Sequence, residues 1–199
     1  MKRFLTNMVV GLGLALFLSP LAASAQQKFV VKPLAEKTAT ELPAGPLFWR
    51  IENFDALAPA QAAAGRWALV AESAGKVWLF TLGPSGGASP GASKVAEVGP
   101  IPRVVAAQYL LRINEGSGPP GSITPAHTHP GSEAFYVVAG ETSSHTAHGV
   151  KHIRAGQSDT GHGADTPMQV SSSGASDLHS LVMFVVDADK PFSSPAKLP

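Results

Sequence analysis

From Ile101 to the end of the chain, short apolar runs recur at close, regular spacing, and each is cut off by glycine, proline or serine. Residues 104–113 read as one strand, closed by Asn114-Glu115-Gly116-Ser117-Gly118-Pro119-Pro120-Gly121. Residues 134–139 read as another, ended by Gly140-Glu141, and residues 142–147 and 150–155 flank a tight turn at His148-Gly149. Residues 168–171 and 178–186 flank a turn of serine, glycine and alanine. Many short strands with Gly and Pro turns, and no amphipathic helix of useful length, leave a sandwich or a closed barrel as the way to bury the apolar faces.

The chain upstream is more mixed. Residues 26–44 are Pro-containing and without period, and read as an extended N-terminal arm. An Ala-rich stretch, 57–64, has room for one or two helical turns before Gly65 stops it. Two β-rich runs, 67–72 and 76–82, are joined by Ser73-Ala74-Gly75 and predict a hairpin. Residues 83–93 are Gly, Ser, Pro and Ala with no large apolar side chain, which predicts a mobile loop.

The first 25 residues have the layout of a secretory signal. Lys2 and Arg3 precede an apolar run over 8–18, Pro20 breaks it, and Ala23-Ser24-Ala25 supplies small residues for cleavage after Ala25. The run is too short to anchor the chain across a hydrocarbon core of roughly 30 Å. The expected mature chain starts at Gln26 and is periplasmic or secreted. It is divided as a signal peptide (1–25), an N-terminal arm with additional strands (26–100), a barrel (101–192) and a tail (193–199). Cysteine is absent, so there are no disulfides and no thiolate ligands. Loss of Lys2 and Arg3 moves the formal net charge from +1 to −1. With no basic cluster, nucleic acid and anionic membrane surfaces are excluded as partners, leaving a small molecule, a metal or a second copy of the chain.

All seven histidines lie between positions 127 and 179. His127 and His129 are two apart in a segment expected to be strand, so their imidazoles face the same way. Pro130-Gly131 turns the chain, and Glu133 begins the next strand. Two imidazoles and a carboxylate make a compact ligand set with positions left open, the arrangement used by non-haem iron(II) oxygenases.

Gly121, five residues, His127-x-His129, three residues, Glu133, six residues and Gly140 resemble the first signature motif of the cupins at every fixed position. Pro125-Ala126-His127-Thr128-His129-Pro130 and Tyr136-Val137-Val138-Ala139-Gly140-Glu141 are similar to cupin sequence as well. The resemblance implies an all-β fold, a double-stranded β-helix or jelly-roll barrel with an N-terminal extension of extra strands. It implies a divalent metal (Fe, Mn, Ni, Zn or Cu) held by His127, His129 and Glu133 at the barrel mouth, and pairing of barrels into a homodimer. The second cupin motif departs from pattern. Gly156 fits its start, but Met168 stands where the family has the histidine that is the fourth ligand. Met168 is then either a packing residue or a thioether ligand, which would favour copper. His162, six residues earlier between two glycines, is the other candidate for the fourth position. His145, His148, His152 and His179 read as extra ligands, a proton shuttle or solvated hairpin residues, the last favoured, and Phe135 and Tyr136 as barrel-wall residues on opposite faces.

The functional expectation is an exported, metal-dependent enzyme of oxygenase or isomerase type acting on a small organic molecule. The alternatives are a cupin that binds a metal or ligand for storage, sensing or delivery without catalysis, and a purely structural barrel with no ion.

Overall fold

The computed structural model describes residues 28–198, so the expected signal peptide lies outside the described residues. In chain order the elements are β1 (Val30–Ala39), β2 (Phe48–Phe54), α1 (Leu57–Ala63), β3 (Ala68–Ser73), β4 (Lys76–Gly83), β5 (Ser93–Val98), β6 (Tyr109–Gly118) and β7 (His127–Thr128). They continue with β8 (Gly131–Ala139), β9 (Glu141–Thr146), β10 (Gly149–Arg154), β11 (Ser158–Asp159), β12 (Gln169–Ser172), β13 (Leu178–Asp187) and β14 (Ser194–Pro195).

A five-stranded sheet, ordered β1-β6-β13-β8-β11, forms the middle layer. All its pairings are antiparallel. Its central strand β13 is buried along almost its whole length, because each of its faces meets a separate core. Leu181, Met183 and Val185 point outward and pack with Leu111, Ile113 and Ala134 against Trp49, Ile51, Trp78 and Phe80. Val182, Phe184 and Val186 point inward and pack with Phe135, Val137, Ile153 and Val170. The outward core is covered by the four-stranded sheet β3-β4-β2-β5, and the inward one by the three-stranded sheet β10-β9-β12. A strand buried on both faces reads as a continuous apolar run, which is why Leu181-Val182-Met183-Phe184-Val185-Val186 shows no alternation.

The five- and three-stranded sheets, closed at one side by the pair β14-β7, make the double-stranded β-helix. The extra N-terminal strands form a second sheet laid on its outer face, whose far side is covered by α1 through Phe54, Ala60 and Leu79. The helix and the β3-β4 hairpin form where the local pattern places them.

Four segments differ from their local pattern. The strand expected over 104–113 starts only at Tyr109 and runs on through Gly118, so Asn114 to Gly118 is strand, not turn. Pairing with β1 on one side and β13 on the other satisfies this Gly-containing backbone and overrides its turn composition. The β9-β10 hairpin turns one residue early: Gly149 pairs with Thr146, leaving Ala147 and His148 at the tip. Part of the N-terminal stretch is strand β1, paired with β6 from Val30↔Ser117 to Ala39↔Tyr109 with a register shift between Pro33 and Ala35. The loop after β4 is pinned, not loose. Ser89 donates its N–H and its hydroxyl to the two oxygens of Glu52, each at 2.8 Å, and Arg50 donates to Gly86 O at 3.1 Å.

Candidate metal centre and cavity

Between the inner face of the five-stranded sheet and β12 lies a cavity of about 660 Å³, lined by His127, His129 and Glu133 among largely apolar side chains. Glu133 lies on β8 opposite Phe184 of β13, and both face the cavity. His127 belongs to β7, a strand of only two residues, and His129 lies just beyond its end. Strand alternation is therefore not what brings the two rings together. They meet edge to face, 5.0 Å between centroids.

Both imidazoles are anchored through the same nitrogen. His127 Nδ1 lies 2.8 Å from Pro125 O and His129 Nδ1 lies 2.6 Å from Phe192 O. A carbonyl oxygen only accepts, so each Nδ1 carries the proton and each Nε2 keeps a lone pair. Backbone anchoring of the remote nitrogen is the outer-shell arrangement that orients metal-binding histidines. Burial is the main reason that His129 is held down to about 4; its Nδ1–H bond to Phe192 opposes this, and nearby His127 and Arg112 add to it. The ring is neutral at pH 7.

Glu133 is 3% exposed and its Oε1 has no hydrogen-bond partner. Burial, reinforced by the negative charge of Asp159, pushes its carboxyl up to about 8. Its Oε2 lies 3.9 Å from His129 Nε2. A bare lone pair and a carboxylate oxygen thus face each other, too far apart for a hydrogen bond. Two metal–ligand bonds of about 2.0–2.2 Å would span that gap. Two imidazoles and a carboxyl lining one cavity are donor types that suit a divalent cation. Among the described residues, no three His, Asp or Glu side chains are already spaced to clasp an ion, so its binding would draw them closer.

The loop behind Glu133 comes close enough to shield it. Its backbone N–H donates to His162 O at 3.3 Å, and a Cβ on Gly161 would lie 2.5 Å from Glu133 O, at a φ of +63° that suits glycine.

The two candidates for the fourth position adjoin the site through the backbone, Met168 beside His127 and His162 beside Glu133. His162 turns its ring to Ser144, Nε2 to Oγ 3.0 Å. Met168 is buried and exchanges two backbone hydrogen bonds with His127, each 2.9 Å. Neither side chain is among the described residues that line the cavity. The remaining histidines have other settings: His145 and His148 are exposed, and His152 pairs with Glu141 at 2.9 Å. His179 Nε2 lies 2.8 Å from Ser73 Oγ and 3.2 Å from Glu115, tying the outer sheet to the barrel. Phe135 faces the cavity, whereas Tyr136 packs against Trp78 in the outward core.

Sequence reasoning misses the part played by residues 29–31 and 192–195. Ser194 and Pro195, in the stretch read as a tail, pair with Thr128 and His127, and Phe192 supplies both the carbonyl that holds His129 and a wall of the cavity. Phe29, Val30 and Val31 of the N-terminal stretch supply another wall. Asn114 lines it too, from within a run that composition marks as a turn.

No protein-family model and no curated protein matches the sequence. Solved structures do. A DMSP lyase from Ruegeria pomeroyi is 21% identical, with 43% of each chain covered and a TM-score of 0.38. An uncharacterised conserved protein with a double-stranded β-helix domain, from Klebsiella pneumoniae, is 21% identical over 44% of this chain and 75% of that one, with a TM-score of 0.38. An oxalate oxidase in complex with the substrate analogue glycolate is 20% identical over 43% of this chain and 46% of that one, with a TM-score of 0.35. The matches thus span less than half the length of the lyase and of the oxidase. By its own strand order the barrel is a double-stranded β-helix, and the motif that runs from Gly121 to Gly140 resembles the first cupin signature.

Proposed function

We propose that this protein is an exported metal-binding cupin that acts on a small organic molecule held in the cavity, with His127, His129 and Glu133 as the metal ligands. What carries the reading is the buried carboxyl of Glu133, whose Oε1 has no partner and whose Oε2 lies 3.9 Å from His129 Nε2. A buried carboxyl oxygen without a hydrogen-bond partner is costly, and a bound cation would bring the group to its ionised form. A divalent ion bound there supplies Lewis acidity toward a substrate oxygen and, with positions left open, access to oxygenase- or isomerase-type chemistry. The chain's own part is to hold the two Nε2 atoms and the carboxylate on one wall, and to surround a bound molecule with apolar side chains that exclude water.

The test is metal analysis of the mature chain, residues 26–199, purified from the periplasm of its host and then loaded separately with Mn, Fe, Ni, Zn and Cu. One ion per chain in the parent, and none in Glu133→Ala, is the expected result. A chain that takes up no stoichiometric metal under any loading ends the proposal. An intact mass beginning at Gln26 checks export.

A second reading, metal or ligand binding without turnover, is favoured by one observation: methionine stands at position 168, where the cupin pattern has its fourth ligand, a histidine. Met168 is paired directly across from His127, so a histidine there would project to the same side. In Met168→His, tighter binding of Mn or Fe is expected. Turnover of a small organic substrate by the unsubstituted protein would dismiss the non-catalytic reading.

A further inference from the structure

His129 is anchored by a segment that no strand holds directly. Its Nδ1 donates to Phe192 O at 2.6 Å, and Phe192 lies between the end of β13 and the two-residue strand β14. The chain is tied before it by Ala188 N–H to Gln108 O at 2.9 Å, and after it by the pairing of β14 with β7. Phe192 itself takes part in no backbone hydrogen bond, and its neighbours Pro191 and Ser193 are exposed. Where its carbonyl sits therefore depends on where its ring is held.

The ring has three neighbours. Phe184 lies 4.9 Å away and His129 4.7 Å away, centroid to centroid, and the guanidinium of Arg112 lies over the ring at 4.4 Å. Arg112 is placed there by the sheet. Glu36 on β1, Arg112 on β6, Phe184 on β13 and Glu133 on β8 are successive cross-strand partners. They form one row across the face that bears the cavity, because facing residues in an antiparallel ladder project to the same side. At the outer end, Glu36 Oε2 lies 3.3 Å from Arg112 Nε. At the inner end stands the proposed ligand Glu133. The cation in the middle is met by the Glu36 charge and by the π face of Phe192, a contact worth about 0.5–2 kcal/mol.

We propose that Arg112 is a positioning residue for the metal site: its guanidinium clamps the ring of Phe192, so that the Phe192 carbonyl stays on His129 Nδ1 and Nε2 stays open to an ion. The inference rests on the metal reading for its consequence, but the tautomer it concerns exists with or without an ion. A neutral imidazole free in water favours the other tautomer, with the proton on Nε2, so releasing the clamp has a definite direction. His127 is a built-in control. Its Nδ1 is held by Pro125 O, two residues away, and involves neither Arg112 nor Phe192.

Nitrogen-15 NMR of the metal-free chain, residues 26–199, tests the clamp in EDTA at about pH 8, above the ordinary histidine range. The two ring nitrogens of each histidine report its tautomer. Both His127 and His129 are expected to carry the proton on Nδ1 in the unsubstituted protein. Arg112→Leu and Phe192→Leu are each expected to shift the ratio for His129 about fivefold toward Nε2–H, the scale of one cation–π contact, and to leave His127 unmoved. Arg112→Lys, which keeps a cation near the ring, is expected to restore most of the parent ratio. The double variant is expected to shift no further than the more affected single one, since both break the same contact. Loss of stability without loss of the clamp would move neither ratio. His129 with its proton on Nε2 in the unsubstituted protein, a shift shared by both histidines, no shift in Arg112→Leu, or an additive double variant overturns the inference. The first outcome needs no variant to fold, and Arg112→Gln is read in place of Arg112→Leu if that variant does not fold.

Metal affinity of the same proteins, read by competition with a chelating dye, separates this proposal from the previous one. Phe192→Leu is expected to bind zinc about tenfold more weakly than the parent, the lower end of losses at outer-shell partners. A parent that takes up no metal but shows the tautomer result sinks the metal proposal and leaves the clamp. A parent that binds metal while the tautomer of His129 is unmoved by Arg112→Leu sinks the clamp alone.

Discussion

Two glutamates are buried in this molecule to nearly the same degree, Glu52 in the outer sheet and Glu133 in the barrel, at 0% and 3% exposure. Their surroundings are opposite. Glu52 receives the N–H and hydroxyl of Ser89, and Arg50 Nε lies 3.1 Å away, off the hydrogen-bonding axis, as a charge partner. Burial alone would raise its carboxyl, but the two bonds from Ser89 and the Arg50 guanidinium outweigh burial and hold it below its ordinary value. Glu133 has no such bonds, and burial pushes it to about 8. A carboxylate whose partners are all supplied by the chain is structural, here fastening a glycine-rich loop to β2. One left unpartnered beside a bare imidazole nitrogen is set for a partner from outside.

The contrast can be broken first at Glu52. Glu52→Ala leaves Arg50 uncompensated and releases the loop, and is expected to cost about 3–5 kcal/mol in urea unfolding. A loss under 1 kcal/mol would mean that the network is ornamental. The next effect belongs to Glu133. Metal at about 100 times its dissociation constant is expected to stabilise the unsubstituted protein by about 2.7 kcal/mol, and to leave Glu133→Leu unmoved. Equal stabilisation of both would place the ion elsewhere. In the absence of metal the sign reverses: Glu133→Leu removes a buried group with no partner and is expected to gain about 1 kcal/mol. A destabilised variant would show that the carboxyl is satisfied in solution.

The smallest effect sharpens the comparison through pH. Since the carboxyl of Glu52 is lowered on folding, its contribution is fully present above the ordinary value of 4.5 and is lost as pH falls through the lowered one. The stability difference between the parent and Glu52→Gln is therefore expected to shrink steadily on acidification below about 4.5. A difference that stays constant with pH would remove the charge from the explanation.

Features set by neighbours in sequence were legible in advance. The β3-β4 hairpin follows from two β-rich runs about Ala74-Gly75, and the helix from its alanines. The His-x-His-x3-Glu spacing brings its three side chains to one cavity wall because Pro130-Gly131 turns the chain between them. The boundaries of β6 were not legible. Asn114 through Gly118 has the composition of a turn, and becomes strand because β1 and β13, both distant in sequence, bond to its two edges. The loop over 83–93 looks free by composition, and is held by Glu52, whose role depends on a contact 37 residues away.

The amino-acid order by itself determined the strand-rich class, the β3-β4 hairpin and the His-x-His-x3-Glu spacing, since these arise from backbone preference and side-chain spacing within about ten residues. Only the tertiary structure decided that Phe192 would anchor His129, that Glu133 Oε1 and Asn114 Oδ1 would be left without partners, and that Phe29, Val30, Phe192 and Pro195 would wall the cavity. Whether a buried polar atom is satisfied depends on every strand that packs around it, and a linear pattern does not carry that sum.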